Sequence, residues 1–246
     1  MGMLLYGIGL MSLAEDLREA FPQALQPWYA DDCAFYARAT ICADVFVRLC
    51  LKGPSVGYFP APAKSWGICP RRHEDKAREI LASRSMPLKH SRGQRYVGGF
   101  IGSEQMRRRW VDPMVAEWVK GIEELAKVAR KYPQSAYVGL TQCLQAQWQY
   151  VCRVDPAVGP LLQPVEDALL ESFIPALFDF PQNQVITPDF RELLGNAVKS
   201  GGLAIRNPTV GAERHHQQSV ESVELLVESL VSNGALDNDG HASTVR

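Results

Sequence analysis

At 246 residues, 46% hydrophobic and 22% charged with a net charge of −1, the chain has the makeup of a globular protein, long enough for one large domain or two small ones. No apolar run approaches the ~20 residues that span a bilayer, and the apolar opening Met1–Met11 lacks the basic flank and cleavage site of a signal peptide. Membrane and secreted classes are set aside, and an intracellular place, cytoplasm or nucleus, is expected.

The elements follow in chain order. Leu4–Phe21 has a helical period and stops before Pro22. Ala24–Tyr29 and Cys33–Arg38 read as two strands joined by a turn at Asp31-Asp32. Thr40–Lys52 reads as a helix with Thr40 as its N-cap and Gly53-Pro54 as its stop. A rigid Gly57–Pro62 loop leads to a strand over Ser65–Cys69, a helix over Arg72–Arg84 and a Gly-rich β segment over Gln94–Gly102.

The chain then changes character. Ser103–Lys131 is a long helix in which Met106, Trp110, Met114, Trp118 and Ile122 recur every four residues, a stripe that reads as core. Helical patterns continue over Tyr137–Val151, Gly159–Phe173, Asp189–Leu194 and Val220–Ser232. The polar tail 233–246 is expected to be disordered. The fold class is α+β: a mixed unit over 1–102 and a mostly helical unit over 103–232.

Charge divides along the same line. Residues 64–109 hold 12 Lys/Arg against 4 Asp/Glu, net +8, whereas 155–246 hold 5 against 13, net −8. The plain reading is solvated helix faces, which Glu74 four residues before Arg78 supports. The run Arg107-Arg108-Arg109 ahead of Trp110 suits phosphate contacts better. The six cysteines form no Cys-x-x-Cys and no zinc spacing with the five histidines, and they read as reduced, mostly buried thiols. His215-His216 reads as surface and is given no metal.

Adjacent carboxylates at a hairpin tip repel one another and so favour bound hard cations. Two-metal phosphoryl transfer needs such groups around ions roughly 3.5–4 Å apart. An Asp-Asp turn alone is more often structural, because Asp accepts bonds from nearby backbone amides. Tyr29-Ala30-Asp31-Asp32 gains weight from what surrounds it.

Gln26–Asp32 resembles motif C of reverse transcriptases, the strand-turn-strand of the polymerase palm. Gly57–Ser65 is similar to motif D in reverse transcriptase-like proteins of eukaryotic non-LTR mobile elements. Arg95–Gly102 resembles motif E, the primer grip, and Gly201–Pro208 a segment found after the thumb in retrotransposon polyproteins. The order is right and the match covers nearly the whole chain. The resemblance implies a partial palm, with an antiparallel sheet and helices on one face, followed by a helical thumb. It implies Asp31 and Asp32 as catalytic ligands of Mg²⁺ or Mn²⁺, with Lys64 protonating the leaving pyrophosphate or stabilising its charge. Tyr29, Arg95, Tyr96, Gly98, Gly99, Arg107, Arg108 and Arg109 would meet an RNA/DNA template-primer. Glycines 98 and 99 would admit the primer backbone or, in the plain reading, simply make a tight turn packed on protein.

The family also needs a third carboxylate on motif A, and a motif B turn, both upstream of motif C. Only about thirty residues precede Asp31, and they resemble the helix after motif B. The chain is therefore expected to be inactive alone, the metal being held only if motif A is supplied, as by a complementing N-terminal polymerase fragment. The alternatives are a non-catalytic nucleic-acid-binding remnant and a helical protein-interaction module.

Overall fold

A computed structural model describes residues 2–29, 32–84, 86, 88–181, 184–232 and 234–245. Helices dominate, and strands are confined to three two-stranded sheets. The chain divides into two compact units, Met1–Val97 with Ile101–Met106 and Gly98–Phe100 with Arg107–Arg246. No described helix is long and apolar enough to cross a membrane.

The first unit is built on two helices. In α1 (Gly2–Ala20) the helical period turns Leu10, Leu13 and Leu17 inward and leaves Leu4, Leu5, Ile8 and Met11 exposed. Next come the hairpin strands β1 (Trp28–Tyr29) and β2 (Asp32–Cys33). In α2 (Ala39–Lys52), Val45 and Leu49 close the small core with Ala24. The Arg48 guanidinium forks onto both oxygens of Asp16 at 2.6 and 2.7 Å, tying α2 to α1. Thr40 is not the cap of α2: Arg38 holds that position without a side-chain bond, which puts Thr40 inside the first turn.

After α2 come β3 (Trp66–Ile68), α3 (Glu74–Ser83) and β4 (Lys89–Ser91). The two strands pair in parallel, Trp66 with Lys89 and Ile68 with Ser91, so the stretch is a β-α-β unit. Its inner face sets Gly67 and His90 against Leu81 of α3. Strands β5 (Gly93–Tyr96) and β6 (Gly99–Gly102) form the third sheet. Among the described residues there is thus no continuous antiparallel sheet of the kind expected for a palm. Pro27 directly precedes β1 and Pro70 closely follows β3, and proline cannot donate to a ladder, which limits the growth of these two strands.

The second unit is helical and better filled. In α4 (Glu104–Ala129), Val111, Val115, Trp118, Ile122, Ala126 and Ala129 are buried. Trp110 and Met114 of the expected stripe sit only at the edge of this core. A second rod joins α5 (Pro133–Val138) and α6 (Gln145–Val154) through a π-helical turn, and a third joins α7 (Gln163–Ala168) and α8 (Ile174–Phe178) through another. Then follow α9 (Pro188–Gly195), capped by Thr187, and α10 (Pro208–Ser232), which begins well before the expected Val220 because Asn207 caps it. The tail expected to be disordered carries α11 (Asn238–Val245).

The polar interior of this unit clasps one segment. Glu166 and Arg191 form a buried two-bond pair at 2.6 and 2.7 Å, and Arg191 also donates to the Ile205 carbonyl. Gln145 donates to the Ala204 carbonyl and accepts from the Arg206 N–H, while the Tyr137 hydroxyl donates to the Leu203 carbonyl. The Gly201–Pro208 stretch, singled out by resemblance, is therefore a strap whose backbone bonds are met by core side chains. Gly202 permits this by running against the Asn196 and Leu193 carbonyls, where no Cβ fits.

Candidate active site

The hairpin bearing the Asp-Asp pair has one unbroken register. Leu25 bridges Tyr36, Trp28 pairs with Cys33, and Tyr29 with Asp32, all antiparallel. Only residues 30 and 31 lie between the paired ends. Asp31, half of the expected metal pair, thus falls outside the described residues. Asp32 is exposed and Tyr29 is 64% exposed beside it.

The arms are held from one side by Tyr58 of the Gly57–Pro62 loop. Its hydroxyl lies 3.2 Å from the Cys33 sulfur, and its ring meets Trp28 edge-on at 5.7 Å. Burial pushes the Tyr58 hydroxyl far above the usual phenol range, and the Cys33 bond and the charges of Cys33, Tyr6 and Asp32 add to it. Tyr96 is raised by burial first and by Asp32 and Cys33 next. Both phenols therefore stay protonated and lie within the field of Asp32. The segments expected as motifs C and D meet where Tyr58 touches Cys33 and Trp28, while Tyr96 of the segment expected as motif E is linked to Asp32, among the described residues, by its electrostatic field alone. Tyr58 was legible only as part of a loop, because nothing in the sequence marks its contact with Cys33.

Lys64 is exposed on a 3-10 turn, Pro62–Lys64, and among the described residues no hydrogen bond or ion pair joins it to Asp32. Arg95 is exposed. The β5–β6 turn places both Val97 and Gly98 in the left-handed region, at φ 44° and 80°. That is natural for Gly98 and strained for a β-branched valine. The space where a Gly98 Cβ would stand is taken by the Tyr150 hydroxyl of the same unit, so protein already fills the close approach there. Gly99 opens β6.

The three arginines separate. Arg107 turns inward and donates to Asp155 at 2.8 Å; the Asp155 side chain is 1% exposed and its other oxygen accepts from the Ala157 N–H. Arg107 is thus committed to the fold, while Arg108 and Arg109 are exposed. The cysteines form no disulfide; Cys152 is buried, Cys143 exposed and the rest half-buried, fewer buried than expected. Burial raises the Cys33, Cys42, Cys50 and Cys69 thiols and pushes Cys152 to about 11, which keeps them protonated and poor nucleophiles.

Among the described residues no three His, Cys, Asp or Glu side chains converge on a point that could hold a metal. Asp32 on an exposed hairpin end offers hard oxygen donors of the type Mg²⁺ prefers, and with Asp31 would make part of a ligand set. No family model matches the chain, and neither does any curated protein or solved structure.

Proposed function

We propose that this chain is a palm and thumb portion of an RNA-directed DNA polymerase, carrying part of a two-metal nucleotidyl-transfer site. The observation that carries the reading is the hairpin register, which leaves residues 30 and 31 as the link between Tyr29 and Asp32. The two-stranded pairing of Tyr29 with Asp32 holds the backbone from which the Asp32 carboxylate springs. Trp28 and Tyr58 brace it, which favours an Asp32 carboxylate already in place when a cation arrives. Asp31 and Asp32 would hold one face of the metal pair; the bound ions supply activation of the 3′-hydroxyl and neutralisation of phosphoryl charge. On this reading a third carboxylate and a nucleotide pocket would be supplied by a further polymerase segment. Tyr96, protonated and within the field of Asp32, would offer a phenol to the primer end.

Primer extension tests the reading. The chain alone is expected to extend nothing with Mg²⁺ or Mn²⁺. Joined to an upstream polymerase segment that bears the third acid, it is expected to extend, and Asp31→Ala or Asp32→Ala to abolish extension. Extension by the joined protein that survives both changes refutes the assignment.

A second reading rests on the exposed cations Arg108 and Arg109: a unit that grips a template-primer duplex without chemistry. Each lost phosphate contact is expected to reduce the slope of log affinity against log salt by about 0.9. Replacing both by Ala should lower that slope together with affinity, and binding indifferent to salt excludes this reading.

A further inference from the structure

The C-terminal half of α10 leaves an apolar strip in solvent. Val220, Val223, Leu226, Val227, Leu230 and Val231 are between 37% and 72% exposed. At 100° per residue they fill an arc of about 140° on one side of the helix. Val220, Val223, Val227 and Leu230 step by three, four and three residues, the spacing of a coiled-coil seam. The helix is held to its own unit elsewhere. Its first turns bury Ala212 beside Gly159, and His216 pairs with the Arg153 carbonyl at 3.0 Å. Leu225, which lies against the Gly240 position of α11, faces away from the strip. Branched aliphatic groups at this density on one helix face mark a contact surface rather than a solvated one.

Charge selects the occupant. Glu221, Glu224 and Glu228 line one edge of the strip and are exposed. From His215 to Val245 the chain has five acids and no Lys or Arg. A second copy of the strip brings no cation to that edge. The 12 residues from Val220 to Val231 span only about 18 Å and fall short of the roughly 800 Å² per side typical of stable protein pairs, so apolar contact needs help from the rim. We propose that this strip docks a basic amphipathic helix of a partner protein, with aliphatic residues in the seam and Lys or Arg along the side that meets the glutamates. The inference is independent of the polymerase reading and shares no residue with that site.

The test uses the full chain and two labelled synthetic helices of about three heptads, both with Leu in the seam, one flanked by Lys and one by Glu. Fluorescence anisotropy at low salt is expected to show the Lys-flanked peptide bound at least about ten-fold tighter, a preference that shrinks as salt screens the rim. Val227→Glu, at an exposed position that leaves the melting temperature unchanged, is expected to weaken binding about ten-fold or more. Glu224→Lys with Glu228→Lys keeps the seam and is expected to reverse the preference toward the Glu-flanked peptide. Equal affinity for the two peptides, or binding unmoved by Val227→Glu, overturns the proposal. So does a dimer in sedimentation velocity that Val227→Glu dissociates.

Discussion

The first unit, 103 residues, has a main core cluster with six buried members among the described residues; the second, 143 residues, has 22. The first is stitched by partly exposed ion pairs such as Arg48–Asp16 and Arg84–Asp44, the second by nearly dry ones, Arg191–Glu166 and Arg107–Asp155. Exposed pairs contribute little, and buried apolar area contributes most of the stability. The candidate chemistry therefore sits on the thinner scaffold, and the thicker one carries no catalytic residue of the proposal. Local stability falls where cores are thin, so the first unit is expected to open before the second.

The largest expected break in that contrast is Glu166→Ala. It strands the Arg191 guanidinium in a site where both side chains are less than one-tenth exposed. Removing one partner of a buried pair costs about 3–5 kcal/mol. The strap over Leu203–Ile205 loses its anchor with it, because Arg191 also donates to Ile205. Hydrogen exchange is the readout: amides of the second unit should fall to the protection of the first or below, while those of α1 and α2 stay unmoved. Unchanged protection in the second unit would show that the pair contributes nothing to its advantage.

Arg107→Ala is the next. Among the described residues Asp155 then keeps the Ala157 N–H alone and faces a nearly dry site as a charge. The Arg107 side chain is 20% exposed, so water relieves part of the cost, leaving about 1–3 kcal/mol of destabilisation. Chemical denaturation should show that loss. In the same protein, duplex affinity is expected to respond less to Arg107→Ala than to the paired change of Arg108 and Arg109.

These arginines show where sequence reading stopped. Helices α1, α2 and α4 were legible from their period, and the hairpin from its turn residues. The stripe Met106–Ile122, taken at strict steps of four, drifts about 40° around the helix at each step. The mixed three-four spacing through Val111, Val115, Trp118 and Ile122 stays on one face, and Arg107 lies one turn before Val111 on it. Its inward direction was therefore present in the period, while its partner Asp155, 48 residues on, was not. The parallel pairing of β3 with β4, the clasp on Gly201–Pro208 and the contact of Tyr58 with Cys33 all join residues far apart in sequence. Local propensity does not encode such pairings. The start of α10 is set by the Asn207-Pro208 cap, a local N-terminal signal that precedes the apolar period from Val220 by twelve residues.

A smaller effect tests the candidate site's own scaffold. Tyr58→Phe removes the hydroxyl that meets Cys33 but keeps the ring against Trp28. A single half-buried bond of this kind is worth about 0.5–1.5 kcal/mol or less. The loss should appear as faster exchange in the amides of β1 and β2, with the second unit unmoved. A uniform loss across both units would mean the two do not open separately.

The smallest expected effect belongs to His215 on α10. Burial first, then the cations Arg206, Arg153 and Arg214, hold its imidazole below the ordinary value of 6.5. The neutral ring is therefore favoured in the folded protein, and the unfolded chain takes up the proton first as pH falls. This contribution to stability is fully present above the unfolded value and is lost as pH drops from about 6.5 toward the lower folded value. Melting of the second unit between about pH 7.5 and 5.5 should show the decline, and His215→Gln should flatten it. The first unit has no part in this titration, so its own melting over the same interval is the internal control. A second unit that gains stability on acidification would mean that burial and the guanidinium groups of Arg206, Arg153 and Arg214 do not hold this ring neutral.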